Sequence, residues 1–459
     1  MIKQNTARVD LTEGSILKKL IIFTIPMFIG NIFQQVYNLS DALIVGNFAN
    51  NDAFAAVSST GSFVFLLVGL FNGIAMGASV VISKYVGAKD HENIKNSIHT
   101  VFAFGIVASI IATILGLILT PFILTWMNTP ESVYKDALIY LLIYFGGVTT
   151  VIIYNICMGI MRATGDSTHP LYYLIFSSII NVLLDLLFVA VFKWGVAGAA
   201  VATVISQGVS CVLCIIRMVR LDDESRLIFK EIKFHNAMIK EALILGLPTG
   251  LQNSIISIGN MVVQTNINSF GSFAMSGQGA YSKIEGFGFL PITCFSMALT
   301  TFVSQNLGAK QYKRAKRGAF IGTILSVTMA GIIGLVIMLF APTLLRLFID
   351  EKEAIQYGII HANIVSLFFV LLAFSHCASG ILRGCGKALI PMFTMLAFWC
   401  VIRVIYVTVT IHFIPKFQVI SWAYPLTWSL SSIVFIIILF STDWVHGLEK
   451  RMKKLNKIG

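Results

Sequence analysis

Charge is scarce in this chain. Asp, Glu, Lys and Arg make up 12% of its 459 residues, against 57% hydrophobic ones, where a soluble domain carries about 25% charged residues. The mean hydropathy of +0.84 agrees. So little charge excludes an ordinary water-soluble globule and suits a chain whose outer face is solvated by lipid. Enzyme signatures are missing as well. There is no HExxH, no G-x-S-x-G and no complete Walker A; Gly384-Cys385-Gly386-Lys387-Ala388 lacks the upstream glycine spacing and the Ser/Thr. The eight His show no paired ligand spacing on one helix. All seven Cys lie in or at the ends of apolar runs, and the lone Cys211-x-x-Cys214 has no second pair, so they read as small packing residues. The chain is therefore expected to be neither an enzyme nor a carrier of a bound cofactor.

Long apolar runs are present in their place. A bilayer core of about 30 Å needs about 20 helical residues. Twelve runs qualify: 20–45, 54–82, 98–124, 137–161, 171–192, 196–216, 242–268, 274–304, 319–342, 356–382, 389–413 and 419–442. The alternating segments of an outer-membrane barrel are absent. Without water to satisfy the backbone, helices are then the remaining way to span. The net charge of +12 could suggest nucleic acid, but the placement of the cations argues otherwise. With the N-terminus inside, Lys and Arg fall in inner segments apart from Lys135, Lys193, Arg346, Lys352 and Lys416 outside, and Lys283 and Arg403 within spans. This positive-inside bias predicts both termini in the cytoplasm and an anionic lipid surface, not nucleic acid, as partner. The first apolar run has no small-residue cleavage site and is read as a permanent helix.

The two halves repeat each other. Ser83-Lys84-Tyr85-Val86-Gly87-Ala88-Lys89 matches Ser304-Gln305-Asn306-Leu307-Gly308-Ala309-Lys310. By the same offset, Met161-Arg162-Ala163-Thr164-Gly165 matches Leu382-Arg383-Gly384-Cys385-Gly386, and Pro170 matches Pro391. Pro26 and Asn31 match Pro248 and Asn253 at an offset one residue longer. Six helices per half is an even number, so both halves enter the membrane the same way, as parallel repeats. The expected organisation is a first lobe over 1–216, a basic cytoplasmic linker over 217–241, and a second lobe over 242–459 ending in a basic cytoplasmic tail. Alternating access by rocking of one half against the other goes with such repeats.

These features resemble the MATE (multidrug and toxic compound extrusion) transporters: the Pro26 helix ending in Asn38-Leu39-Ser40-Asp41 with Val45-Gly46 after it, the two Gly-Ala-Lys loops, and the paired Arg-x-x-Gly loops. The resemblance runs from about residue 15 to about 445. It implies an all-α integral membrane protein of twelve helices in two pseudo-symmetric six-helix bundles with a V-shaped fold. It also implies a bacterial or archaeal inner (plasma) membrane, and export of small organic, often cationic or amphipathic, compounds in exchange for Na⁺ or H⁺. The wider superfamily includes flippases for lipid-linked precursors, kept as the alternative. The strongly cationic cavity such a ligand wants is not evident. The chain is expected to act as a monomer.

Charged side chains at membrane depth are costly, about 2.5–3.5 kcal/mol each on the insertion scale. Only three acids lie well inside predicted spans: Asp41, Asp185 and Glu285. Asn181 and Asp185 are four apart and share a helix face, as do Thr203 and Gln207. Such a set offers hard oxygen ligands for a cation, and two neighbouring carboxylates also permit proton binding. The resemblance implies the same cluster, through an Asp on helix one, an Asn-x-x-x-Asp on helix five and a Thr on helix six. Asp41, Asn181, Asp185 and Thr203 match these and form a candidate Na⁺ or H⁺ site; the alternative is that the acids only bond neighbouring helices. In the second half Val263 stands opposite Asp41 and Tyr406 opposite Asp185. The carboxylates of the NorM type are missing there, which puts a second-lobe cation site in doubt.

Glu285 and Lys283 are two apart and cannot face one another on a helix; Arg403 is available to Glu285. The three form either a polar wall of the substrate cavity or a buried ion pair that fixes packing. Gln34, Tyr37, Tyr140, Asn155, Gln252, Asn253, Asn260 and Gln264 are further polar candidates for lining that cavity. Pro26 and Gly30 lie mid-helix and are candidates for a hinge, or for a static kink. Gly69, Gly73 and Gly77 recur every four residues and read as a close-packing stripe.

Overall fold

The computed structural model describes residues 8–48, 51–126 and 129–446; the basic tail expected over Lys450–Lys457 lies outside them. Among the described residues every regular element is helical. The chain runs through α1 (Ile16–Phe48), α2 (Asn51–Ala88), α3 (His91–Trp126), α4 (Glu131–Gly146), α5 (Val148–Ala163), α6 (Thr168–Asp185) and α7 (Gly195–Val219). It continues through α8 (Asn236–Asn268), α9 (Ser272–Gly308), α10 (Tyr312–Leu345), α11 (Lys352–Val365), α12 (Phe369–Gly384), α13 (Leu389–Met395), α14 (Arg403–Phe413) and α15 (Phe417–Ser441). Among the described residues 11 helical stretches are long and apolar enough to cross a membrane, and the α4–α5 pair makes a twelfth span. That pair corrects the expectation of one continuous helix over 137–161. It bends by 49° at Gly147, where a Cβ would run into the Val204 side chain of α7. The break lets the chain pass α7 closely, and the equivalent place in the second half holds the tight turn Ser366–Phe368 between α11 and α12.

Helix ends in a membrane protein must satisfy their last carbonyls at the interface. Here four of them are closed by one device, a Schellman turn, repeated in both halves. After α2, Lys89 takes the left-handed conformation (φ 53), and Asp90 N–H donates back to Tyr85 O at 3.1 Å. After α9, Lys310 does the same (φ 58), with Gln311 N–H on Asn306 O at 2.8 Å. Gly165 (φ 87) and Gly386 (φ 82) close α5 and α12, with Asp166 N–H on Met161 O and Lys387 N–H on Leu382 O, both at 2.8 Å. The motifs that betray the repeat in the sequence are thus its helix stops.

The described chain forms two compact units. One holds residues up to Asp10 and Ile25–Gly250; the other holds Leu11–Thr24 and Leu251 to the C-terminus. Helices α1 and α8 therefore each change unit along their length, next to Pro26 and Pro248 respectively. Neither proline interrupts its helix. In unit 2 the first residues are tied down by backbone acceptors. Arg314 donates to the carbonyls of Leu11, Glu13 and Gly14, and Asn306 Nδ2 donates to Leu11 O at 3.1 Å.

In unit 1 the glycines of α2 set a helix crossing. A Cβ on Gly73 would strike the backbone of Gly250, and one on Gly77 the backbone of Gly246 and Ala242 O, both on α8. Gly69, the third member of the expected stripe, meets nothing within 4 Å. Backbones this close leave no room for side chains, and the crossing ends in an ion pair: Lys84 Nζ donates to both Glu241 oxygens at 2.8 Å. Both side chains are about 95% buried. Residues 236–241, expected in the linker, are therefore the start of α8. The rest of the linker is also pinned to unit 1. Ile228 N–H donates to His99 Nε2 at 3.0 Å, Arg8 pairs with Asp223, and Lys95 bonds Glu231 and holds that carboxyl below the usual carboxylate range.

Removing one partner of a buried pair strands the other charge, at roughly 3–5 kcal/mol, whereas replacing both can be close to neutral. Lys84→Met should therefore lower stability in detergent by about that amount, and the double variant Lys84→Met/Glu241→Met should recover most of it. Unfolding midpoints of the four proteins of this cycle measure the coupling.

Candidate functional site

Unit 1 gathers the predicted oxygen ligands. Asp41 comes from α1, Asn181 and Asp185 from α6, and Thr203 from α7. The four-residue spacing of Asn181 and Asp185 puts both on one face, and both are 0% exposed. The Asp41 and Asp185 carboxyl groups are neighbours. Tyr37, one turn before Asp41, donates its hydroxyl hydrogen to Thr203 Oγ1 at 3.4 Å and so links α1 to α7 beside the acids. Five polar atoms of this group are buried without a hydrogen-bond partner among the described residues: Asp41 Oδ1, both side-chain atoms of Asn181 and both oxygens of Asp185. Native interiors rarely leave such atoms unbonded, and a carboxylate in a dry site is stable only when charge and lone pairs are answered. A cation held by carboxylate, amide and hydroxyl oxygens would answer them. The donor set suits a hard monovalent ion or a proton. It has no thiolate or imidazole, and only two carboxylates, so it is a poor match to sites built for softer metals.

Tyrosines wall the group. Tyr140 lies within electrostatic reach of both acids, and it stacks on Tyr144, one turn further along α4, with ring centroids 6.3 Å apart. Tyr144 was not among the sequence candidates, although its spacing of four from Tyr140 was a readable signal. Asn155 stands apart: its amide donates to Val151 O of its own helix at 2.8 Å. Gln34 on α1 is exposed. Gly30 lies against Leu171 and Leu174 of α6, where a Cβ would make ordinary contacts at 3.6 and 3.5 Å.

The equivalent place in unit 2 is filled with hydrocarbon. Val263, opposite Asp41 in the repeat, is 1% exposed and packs with Ile267, Ala274, Val407, Phe417 and Ile420; Tyr406, opposite Asp185, lies against the same cluster. Unit 2 instead brings together Arg403 of α14, Asn260 of α8, Thr427 of α15 and, within electrostatic reach, Glu285 of α9. No carboxylate stands within ion-pair distance of Arg403 among the described residues, so of the two readings left open for Glu285 and Arg403 the ion pair is not formed. Its guanidinium donates to Thr427 Oγ1 at 3.1 and 3.3 Å and to Asn260 Oδ1 at 3.4 Å. Thr427 escaped the sequence reading because nothing marks it out from the other hydroxyls of its span.

The remaining candidates lie elsewhere in unit 2. Gln252 is buried and donates to Met395 Sδ at 2.8 Å, Asn253 is half-buried, and Gln264 is exposed and bonds Asn268 along α8 at 2.9 Å. Lys283 is exposed.

The comparisons with known proteins agree with this architecture. The family model described as MatE matches residues 26–187 and again 248–409, one copy in each half. The chain is 29% identical to the probable multidrug resistance protein YpnP of Bacillus subtilis over 393 residues, covering 85% of this chain and 87% of the relative. It is 25% identical over 392 residues to the probable multidrug resistance protein NorM of Thermotoga maritima, covering 84% and 83%. Among solved structures, a MOP superfamily transporter from Pyrococcus furiosus superposes with a TM-score of 0.88 at 22% identity, over 99% of this chain and 100% of that one. An outward-facing multidrug resistance MATE family transporter gives 0.86 at 22% identity, over 99% and 100%. With a family model covering most of both halves, the chain belongs to the MatE family of membrane transporters and is not an enzyme.

Proposed function

We propose that this protein exports small organic compounds, chiefly cationic or amphipathic ones, from the cell in exchange for Na⁺ or H⁺. The observation that carries the reading is the group of buried, unpartnered oxygens around Asp41, Asn181 and Asp185, with Thr203 beside them. Two acids held side by side at membrane depth with no basic partner cost more than helix packing requires. They are accounted for if a cation occupies them during part of a cycle. The names of the relatives, multidrug resistance and multidrug export proteins, support the substrate class. The flippase reading is disfavoured. It needs cationic groups to hold a pyrophosphate, and the acids outnumber Lys283 and Arg403 in the spans.

In this reading the lobes 1–216 and 242–459 alternate access across a bacterial inner membrane, with both termini cytoplasmic, and the chain works as a monomer. Pro26 and Gly30 form the hinge of α1. Pro26 removes one backbone hydrogen bond from the helix, between the residues of α1 that belong to unit 2 and the segment that carries Asp41. Tyr37, Tyr140 and Asn155 of unit 1, with Gln34, line the path of the substrate. Gln252, Asn253, Asn260, Gln264, Lys283, Glu285 and Arg403 do so in unit 2.

The test is efflux of a cationic dye from proteoliposomes under separately imposed Na⁺ and pH gradients. One gradient should drive the wild type, and Asp41→Asn and Asp185→Asn should each lose nearly all gradient-driven flux. Flux in Asp41→Asn equal to the wild type under both gradients would sink the ion-site reading.

Asn181→Ala and Thr203→Ala remove a neutral ligand and leave the charge. Each should raise the half-saturating concentration of the coupling ion by about tenfold, the worth of one bond to a charged group, with a smaller effect on maximal flux. A titration of flux against ion concentration separates the two parameters.

A further inference from the structure

The basic end of unit 2 holds a cavity of about 290 Å³ between the start of α10 and the end of α15. Among its walls are Lys316 of α10 and Leu439, Phe440, Asp443, Trp444 and Val445 at and after the end of α15. Two donors on it are unanswered. Lys316 is exposed, and no carboxylate stands within ion-pair distance of it among the described residues. Trp444 is 8% exposed, yet its indole N–H has no hydrogen-bond partner among them. Asp443, the acid of the lining, is taken up by His446: its Oδ1 accepts from the backbone N–H at 3.4 Å and lies 2.8 Å from ring Nδ1. Lys387 also reaches this end and donates to Asp443 O at 3.4 Å. An ammonium and a buried indole N–H on one cavity call for the oxygens of an anion.

The first half shows how the chain itself can answer such a lysine. Lys316 stands opposite Lys95 in the repeat, by the offset that takes Lys89 to Lys310. Lys95 has a partner in the linker after α7, with its Nζ 2.6 Å from Glu231 Oε2. The same offset takes Glu231 to Met452, so the second half has no matching acid. The chain after His446 carries Lys450, Arg451, Lys453, Lys454 and Lys457 against the single acid Glu449. Its charge is the wrong one for a cavity that already holds two free donors.

The hydrocarbon on the lining decides which anion. Leu439, Phe440 and Val445 form that part of the wall. Phe440 is 89% exposed, and it ends an outward ridge of α15 with Ile433 and Ile437, which are 54% and 58% exposed. Spacings of four and three put the three on one helix face. A free phosphate gains nothing from such a wall, whereas a phosphate that carries acyl chains can lay one along the ridge. Trp and Lys are also the side chains that work at the headgroup level of a bilayer. We propose that this cavity seats the headgroup of one anionic glycerophospholipid. Its phosphate oxygens take the Lys316 ammonium and the Trp444 N–H, and an acyl chain follows Ile433, Ile437 and Phe440. Diffuse attraction of basic segments to anionic lipid needs no cavity; this seat holds a single molecule. It is independent of what the protein exports, so the flux experiments above neither support nor sink it.

The test is native mass spectrometry of the full-length protein in detergent. It is titrated with phosphatidylglycerol and with phosphatidylcholine of the same acyl chains. The wild type should bind one phosphatidylglycerol about tenfold more tightly than phosphatidylcholine, as expected for one bond between charged groups. Lys316→Gln should bring that ratio close to one, and Lys316→Arg should keep it. Trp444→Phe, which retains a ring and loses the N–H, should weaken phosphatidylglycerol by about fivefold. Lys313→Gln, one turn away on α10 and off the cavity, should leave the ratio unchanged. An equal fall in Lys313→Gln would mark diffuse surface charge and overturn the proposal. So would a wild type that does not distinguish the two lipids, which leaves the cavity to the chain after His446. Displacement of the lipid by millimolar inorganic phosphate would also overturn it, in favour of a site for the free anion. If Trp444→Phe does not fold, the exposed Lys316 and its two variants decide the matter.

Discussion

A polypeptide inside hydrocarbon has no water with which to bond its backbone or solvate its charges. Most of what this protein does locally follows from that. Each backbone group must be satisfied within its own helix or at a defined end. The four Schellman turns after α2, α5, α9 and α12 meet that need with the same geometry, and two of them hold a lysine in the left-handed region where glycine is the easier choice. Close helix crossings are bought with glycine, as where Gly73 and Gly77 of α2 meet α8. Every charge that remains in the interior then requires a reason. Lys84 and Glu241 have one in each other. Asp41 and Asp185 have only each other and no cation within ion-pair distance among the described residues, which is the observation the proposed function rests on.

The two halves began from one plan and have separated in chemistry. The helix stops and the prolines coincide, yet Asp41 and Asp185 face Val263 and Tyr406 across the repeat. The difference is complete in packing terms. One half leaves acids without donors, and the other fills the equivalent space with Val263, Val407, Phe417 and Ile420. A carboxylate placed in the second cluster would be buried among hydrocarbon with no ligand in reach. Among the described residues the two scaffolds thus differ: the first groups polar oxygens where the second groups hydrocarbon. The second buries Arg403 and half-buries Glu285, at different places in the repeat.

Much of this was legible in the sequence, for physical reasons. Twelve spans could be read because hydrophobic length alone decides what crosses a bilayer. The repeat could be read because helix stops need glycine, or lysine in an unusual conformation, at fixed places. Asp41, Asn181, Asp185 and Thr203 could be named because polar residues are rare at that depth, and the fold does bring them into one unit. What stayed hidden depends on distance in three dimensions. Glu241 looked like one more charge in a basic linker until α8 brought it onto Lys84. Gly147 gave no sign of a break inside an apolar run, because the Val204 side chain it lies against is on another helix. Glu285 and Arg403 could be read as a pair or as a polar wall, since spacing alone cannot see that Thr427 and Tyr424 hold the guanidinium.

In the function proposed above, α1 carries the acid that responds to the coupling ion. Its early residues belong to unit 2, where Arg314 and Asn306 hold the carbonyls just before it. Its later residues belong to unit 1 and carry Tyr37 and Asp41. Between them Pro26 leaves one carbonyl of the helix without its usual donor, so this is where the helix resists deformation least. In that proposal a cation held between Asp41, Asp185 and Asn181 acts beyond that point, on the segment that Tyr37 already ties to α7. Placed on α6 alone, the same two charges would bind an ion equally well. They would lack a helix whose residues belong to both units, which is what the proposed coupling uses.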